Sequence, residues 1–234
     1  MTAAEIGTAS PGLRALRAIV VKDLRLELRR VEGLATVAIF ALLVALMFVF
    51  AGDPSAEDLR RLGPGALWIA LLFAGVLGFA RWFAQEGRNA ALQGLLLTPV
   101  DRGVIFAGKW LGATVFLLAL EVVLVPVTLT MYGLAPERSA WGWLVLLLVV
   151  VTAGYAVLGT FFAAVAARTT AGELLLPVLL FPLSVPLVLA GAEGVQALFA
   201  GDRGSYWDWL GLAAAFDLLF GTVCTVAFEH VIEE

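Results

Sequence analysis

The chain has 234 residues, 62% of them apolar and 15% charged, with a formal net charge of −4. A soluble domain of this length cannot bury so much apolar surface, and the apolar residues fall into six long, nearly charge-free blocks, so an all-α polytopic membrane protein with six transmembrane helices is predicted. One cysteine, Cys224, excludes an internal disulfide and any multi-cysteine metal or iron–sulfur site, and no basic run resembles a nucleic-acid-binding patch.

Residues 1–12 are polar and small. From Leu13 a helical pattern begins, with Leu13, Leu16, Val20, Leu24, Leu28 and Val31 at spacings of three and four and Arg14, Arg17, Lys22, Arg25 and Arg29 on the other faces. This reads as an N-terminal amphipathic helix in the membrane interface, or as a helix packed on a partner. The charged stretch before the first apolar block is too long for the n-region of a signal peptide, although Phe50-Ala51-Gly52 offers a small-residue site. The expected organisation is therefore an N-terminal tail and interfacial helix over 1–33, then a six-span domain over 34–234.

The first span is predicted over Leu34 to Ala51, ended by Asp53-Pro54-Ser55. Gly63-Pro64-Gly65 leads into a second span, about Ala66 to Ala80, with Arg81 at its exit. Residues 82–103 form a polar-to-amphipathic insertion. A third span, Ile105 to Tyr132, carries Glu121 and Pro126, and a fourth runs from Trp141 to Ala167. The fifth, Leu174 to Ala192, holds Pro177, Pro182 and Pro186, which remove backbone donors and kink a helix. Glu193 to Asp208 reads as a short outer segment, re-entrant or looped, before a sixth span over Trp209 to Phe228 containing Asp217. No internal repeat supports an inverted-repeat carrier.

Charge sets the orientation. Eleven of the fifteen lysines and arginines fall before span one, in the second-to-third connection and in the fourth-to-fifth turn. The positive-inside bias therefore places both termini in the cytoplasm, with Trp141, Trp143, Trp207 and Trp209 at the outer boundary.

The insertion at 82–103 is the strongest functional signal. Polar residues come first, then a compact face of Leu92, Leu95 and Leu96. A short helix across the interface can dock in a partner's groove and transmit rigid-body motion. On pattern alone, a helix that merely covers span ends fits equally well.

Three ordered segments carry a resemblance. Leu62-Gly63-Pro64-Gly65-Ala66-Leu67-Trp68 resembles the opening of the second span in the heme exporter protein B (CcmB) family. Leu92-Gln93-Gly94-Leu95-Leu96-Leu97-Thr98-Pro99, followed by Ala107-Gly108-Lys109, is similar to that family's Leu-Glu-x-Leu-Leu-Leu-Ser-Pro. Leu180-Phe181-Pro182-Leu183-Ser184-Val185-Pro186 resembles its Leu-Pro-Leu-x-x-Pro. Gln93 departs from the family's Glu, Asn89-Ala90 from its Asp-Gly, and the acidic tail differs as well.

The resemblance implies an ABC-2-type permease-like fold in the bacterial inner membrane. It implies an ATP-driven cytochrome c-biogenesis complex with a CcmA-like ATPase, CcmC- and CcmD-like membrane proteins and a CcmE-like heme chaperone. Heme would be a substrate, delivered outward or released with its chaperone, and no cofactor is assigned. Glu86, Leu92, Gln93, Leu95, Leu96 and Pro99 would then couple to the ATPase. The sequence has no Gly-x-x-x-x-Gly-Lys-Ser/Thr loop, so the ATPase is expected on another polypeptide and this chain is not read as an enzyme. Six spans suggest two copies per complex, and Gly108-x-x-x-Gly112 is a spacing that permits close helix contact.

Glu121 and Asp217 are the intramembrane polar residues. Such carboxylates face protein or a cavity, either joining spans three and six by a hydrogen bond or lining a proton or ligand path. Trp207 and Trp209, in Ser205-Tyr206-Trp207-Asp208-Trp209, are candidate outer-face heme contacts, the segment being similar to tryptophan-rich segments of related maturation proteins; interfacial anchoring explains them equally. His230 is the one histidine, but the topology puts it on the cytoplasmic side, and no metal site is assigned. The alternatives are a six-span export permease for another substrate, an intramembrane enzyme using Glu121 and Asp217, and a passive assembly scaffold.

Overall fold

Inside a bilayer only intrahelical bonding or a closed barrel satisfies the backbone, and this chain takes the helical route. A computed structural model describes residues 11–28, 31–50, 55–88, 100–167, 169 and 172–233. Among them are seven α-helices: α1 (Pro11–Leu28), α2 (Val31–Phe50), α3 (Ala56–Arg88), α4 (Arg102–Met131), α5 (Trp141–Ala166), α6 (Gly172–Ala200) and α7 (Arg203–Glu233). A 3-10 turn, Arg138–Ala140, precedes α5, and no strand occurs among the described residues. Helices α2 to α7 supply six segments long and apolar enough to cross a membrane.

Helix α5 is the hub and touches α3, α4, α6 and α7. Helices α3 and α5 bury most of their length, whereas α2 and α7 stay peripheral. Their outward faces carry Met47, Phe50, Leu218 and Leu219, as lipid contact requires. Small residues bring helix axes together: Trp68 of α3 lies across Gly191 of α6, where any Cβ would collide with the indole. Side chains also bond to neighbouring backbones. Tyr155 Oη donates to Leu72 O at 2.6 Å, Tyr132 Oη to Ala45 O at 2.5 Å, and Trp110 Nε1 to Ala153 O at 2.8 Å. These bonds tie α5 to α3, the end of α4 to α2, and α4 to α5.

Two expectations are corrected. Helix α3 begins at Ala56, ten residues before the predicted start, and carries Pro64 inside it. Ser55 and Asp58 form a capping box, with Asp58 N donating to Ser55 Oγ and Ser55 N to Asp58 Oδ2, both at 3.2 Å. That cap starts the helix early, and Gly63 then packs on Tyr132.

The predicted outer segment 193–208 is instead two long helices joined at Gly201-Asp202. Gly201 has φ 76°, and Asp202 N donates to Ala197 O at 2.9 Å, closing α6 with a Schellman bond. Asp202 then caps α7, accepting from Ser205 N at 3.1 Å and Ser205 Oγ at 2.7 Å. These bonds hold its carboxyl below the usual carboxylate range. The helix-stop glycine and the helix-start aspartate both lie within that segment.

Helix α1, the expected N-terminal helix, packs along the first turns of α4; among its described residues Ile19 and Asp23 are buried, while Leu13 is 60% exposed.

Gly133 ends α4 as Gly201 ends α6, with φ 63° and Leu134 N donating to Leu129 O at 2.8 Å. Gly133→Ala forces an L-residue into the left-handed region at about 1 kcal/mol and is expected to lower the unfolding midpoint of the detergent-solubilised protein. Gly211→Ala, at a helical position with open space around it, should leave the midpoint unchanged or raise it.

Candidate functional site

Helix α4 presents two bare positions to α1. At Gly108 a Cβ would sit 2.9 Å from Ile19 Cγ2, and at Gly112 it would sit 3.1 Å from Trp82 and 3.8 Å from Asp23 Cβ. The predicted Gly108-x-x-x-Gly112 contact therefore lies within one chain, where α1 and α3 already cover both glycines.

This close approach carries two charges into the interface. Asp23 Oδ2 lies 3.2 Å from Lys109 Nζ, with side chains 1% and 3% exposed. Lys22 Nζ, at 37% side-chain exposure, adds a second cation 2.9 Å from Asp23 Oδ1. Buried ions persist only when paired, so α1 cannot leave α4 without stranding a charge. Asp101 caps α4, accepting from Gly103 N at 2.8 Å, and Arg81 Nη1 of α3 donates to Gly33 O of α2 at 2.9 Å. The helix ends that flank the 82–103 insertion are thus anchored to α1 and α2.

Within the insertion, α3 stays helical through Arg88, so Glu86 lies on a continuation of the second span. Leu92, Gln93, Leu95, Leu96 and Pro99 lie outside the described residues. Asp23 and Lys109 went unrecognised in the sequence because they count there only as charges of a basic interfacial helix and an inner loop. The legible signal was one acidic residue four positions after Ile19, opposite a lysine that follows a glycine. The run from Gly103 to Lys109 also shows the spacing of a phosphate-binding loop except that Trp110 stands in the Ser/Thr position. Here it is continuous helix, and its lysine faces Asp23.

The two intramembrane carboxylates both meet α5, not each other. Glu121 is 3% exposed and accepts a hydrogen bond from Thr152 Oγ1. Asp217 Oδ1 lies against bare Gly154, beside Leu187. Positions 152 and 154 point about 200° apart on a helix, so the backbone of α5 stands between the carboxyls. The predicted bond between spans three and six is absent from these contacts. An aspartyl-type dyad needs two carboxyls close enough to share a proton, an arrangement the intervening helix prevents. Ser184 is buried and donates to Leu180 O at 2.7 Å.

The two candidate tryptophans separate as well. Trp207 is 51% exposed, with its ring 5.4 Å from Trp143 edge to face, whereas Trp209 packs against the hydrophobic core. Two residues apart, they cannot share one helix face. His230 is exposed at the far end of α7, with Nδ1 3.0 Å from Val226 O. Among the described residues no three His, Cys, Asp or Glu side chains cluster to hold a metal ion.

A sequence profile of the CcmB protein family matches residues 14–234. The chain belongs to the CcmB family. It is 34% identical over 213 residues to the heme exporter protein B of Rhodobacter capsulatus, covering 91% of this chain and 93% of that protein. The protein of the same name from Paracoccus denitrificans is 33% identical over 190 residues, 80% and 84% of the two chains. That of Pseudomonas aeruginosa is 29% identical over 201 residues, 86% and 89%. This CcmB-family chain is a multi-pass helical membrane protein, as its composition predicts.

Removing one partner of the buried ion pair should cost about 3–5 kcal/mol. Asp23→Leu, which strands buried Lys109, is expected to lower the unfolding midpoint sharply; Lys109→Met should lower it less, because Asp23 keeps Lys22 at 2.9 Å, and the double variant should recover most of the Asp23→Leu loss. Thermal unfolding in detergent checks this; additive losses in the double variant would mean that the two charges do not stabilise each other.

Proposed function

We propose that this chain is the membrane subunit of an ATP-driven cytochrome c-biogenesis complex. It passes motion from a separate CcmA-like ATPase to heme delivery, or to release of a heme-loaded CcmE-like chaperone, at the opposite face. CcmC- and CcmD-like proteins and a second copy of this chain complete the complex. It sits in the bacterial inner membrane with both termini cytoplasmic.

The observation that carries this reading is the near-full-length match to the CcmB family, whose relatives are named as heme exporters. The α1–α4 clamp supports the mechanical part. Residues 82–103 lead directly into α4, and the Asp23–Lys109 pair joins α4 to α1. A push on the connector therefore moves two helices as one unit and does not simply bend a loop. Coupling of this kind needs a stiff element with few arrangements, which a buried, glycine-seated ion pair supplies. In this reading Glu86, Leu92, Gln93, Leu95, Leu96 and Pro99 receive the ATPase, and residues 34–234 form the domain that it moves.

Leu95→Asp and Leu96→Asp are expected to uncouple the ATPase while the protein still inserts. ATPase stimulation in the reconstituted complex and cytochrome c assembly in cells measure this. Normal ATPase binding and normal assembly in both variants would refute the assignment of this face.

A further inference from the structure

At the end of the bundle away from the chain termini, the α4–α5 loop and the α6–α7 turn enclose a cleft of about 500 Å³. That is within the range of small-molecule sites, ~300–1,000 Å³. One wall is aromatic. Trp143 meets Tyr206 and Trp207 edge to face at 6.0 and 5.4 Å between ring centres, and Tyr206 meets Trp207 at 5.7 Å. Tyr206 is locked by its hydroxyl, which donates to Trp143 O at 2.8 Å, while Trp207 stays 51% exposed. Half-buried Leu198 and Phe199 add apolar surface.

Three charged residues line the same cleft: Glu137, Asp202 and Arg203. They are not equivalent. Asp202 is committed to starting α7, with Ser205 N on one carboxylate oxygen and Ser205 Oγ on the other. Glu137 is exposed and accepts only a long contact from Ser139 Oγ at 3.5 Å. The Arg203 guanidinium lies 5.8 Å from the Trp143 ring. Among the described residues neither Glu137 nor Arg203 forms an ion pair. One hollow thus gathers an unpaired anion, an unpaired cation and an open indole.

That set matches a zwitterion made of an ammonium and a phosphate. An ammonium is attracted to an indole face and donates to a carboxylate, and a guanidinium pairs with phosphate. Depth narrows the class, because tryptophan and tyrosine gather at the level of the lipid headgroups. We infer that this cleft binds the headgroup of a phosphatidylethanolamine molecule, with the ammonium between Trp207 and Glu137 and the phosphate on Arg203. A quaternary choline group has no N–H to give Glu137, and a phosphatidylglycerol headgroup has no cation for either residue. Interfacial anchoring alone does not call for this arrangement: Trp141, 44% exposed and two residues from Trp143, lies at the same end without lining the cleft. A lipid seated there joins the α4–α5 loop and the α6–α7 turn to the bilayer surface, whatever the complex transports.

The test uses the full chain, purified in dodecyl maltoside and titrated with dioleoyl phosphatidylethanolamine, phosphatidylcholine and phosphatidylglycerol in turn, with bound lipid counted by mass spectrometry of the intact complex. One site per chain is expected to prefer phosphatidylethanolamine over phosphatidylglycerol by about 5-fold. Glu137→Gln should abolish that preference, and Trp207→Ala should weaken phosphatidylethanolamine by about 2- to 5-fold. Arg203→Gln should weaken both lipids, and Trp141→Ala should bind like the unaltered chain. Glu137 is exposed, so its variant keeps the test decisive even if the loss of an indole disturbs folding. Equal binding of the three lipids would overturn the inference, as would a preference that survives both Glu137→Gln and Trp207→Ala. If Glu137→Gln leaves lipid binding unchanged but releases a partner protein from the purified complex, the cleft docks a basic protein segment and the lipid assignment falls.

Discussion

Between the headgroup layers there is no water to complete a hydrogen bond, so a polar group carried into the bilayer is stabilised by a partner within protein. The hub position of α5 follows from this constraint. It receives the Trp110 indole at Ala153 O and the Glu121 carboxyl at Thr152, and sends its own Tyr155 hydroxyl to α3. Apolar contact cannot select neighbours in lipid as it does in water, because lipid tails are as apolar as leucine. Close seats on glycine and a small number of specific polar bonds therefore set which helices meet.

The Asp23–Lys109 pair is the most demanding case of the same constraint. Two charges at 1% and 3% side-chain exposure cannot be hydrated separately, so α1 and α4 behave as one body. The N-terminal helix, whose pattern allows both an interfacial and a packed position, lies as a splint along the helix that follows the connector. The glycines at 108 and 112 permit the splint to lie close enough for the ions to meet.

At the other end of the bundle the same economy of short connections has a different result. The two-residue turn at Gly201-Asp202 brings the starts of α7 and α5 together, so that Trp207 and Tyr206 pack on Trp143. A longer loop would leave these rings to anchor independently in lipid. The tight turn instead fixes them around a hollow with Arg203 at its edge. One end of the molecule is thus built to move as a unit and the other to hold a rigid surface, with α5 running between them.

The sequence by itself determined the solvent, the number of spans and the family. Apolar blocks of about 20 residues permit little else in a bilayer, and three ordered motifs marked the relationship. It also placed the carboxylates at positions 121 and 217 and the aromatic cluster around 207. Only the tertiary structure decided what those residues touch. Trp207 and Trp209 look equivalent in a pentapeptide but point to opposite sides of a helix. Glu121 and Asp217 look like a pair but are separated by α5. Lys109 looks like a surface charge but closes a buried bridge to a residue 86 positions earlier. Local pattern reports a residue's helix and depth, because these depend on neighbours in sequence. Its partner depends on helix azimuth and close approach between distant segments, which become defined only when the helices pack.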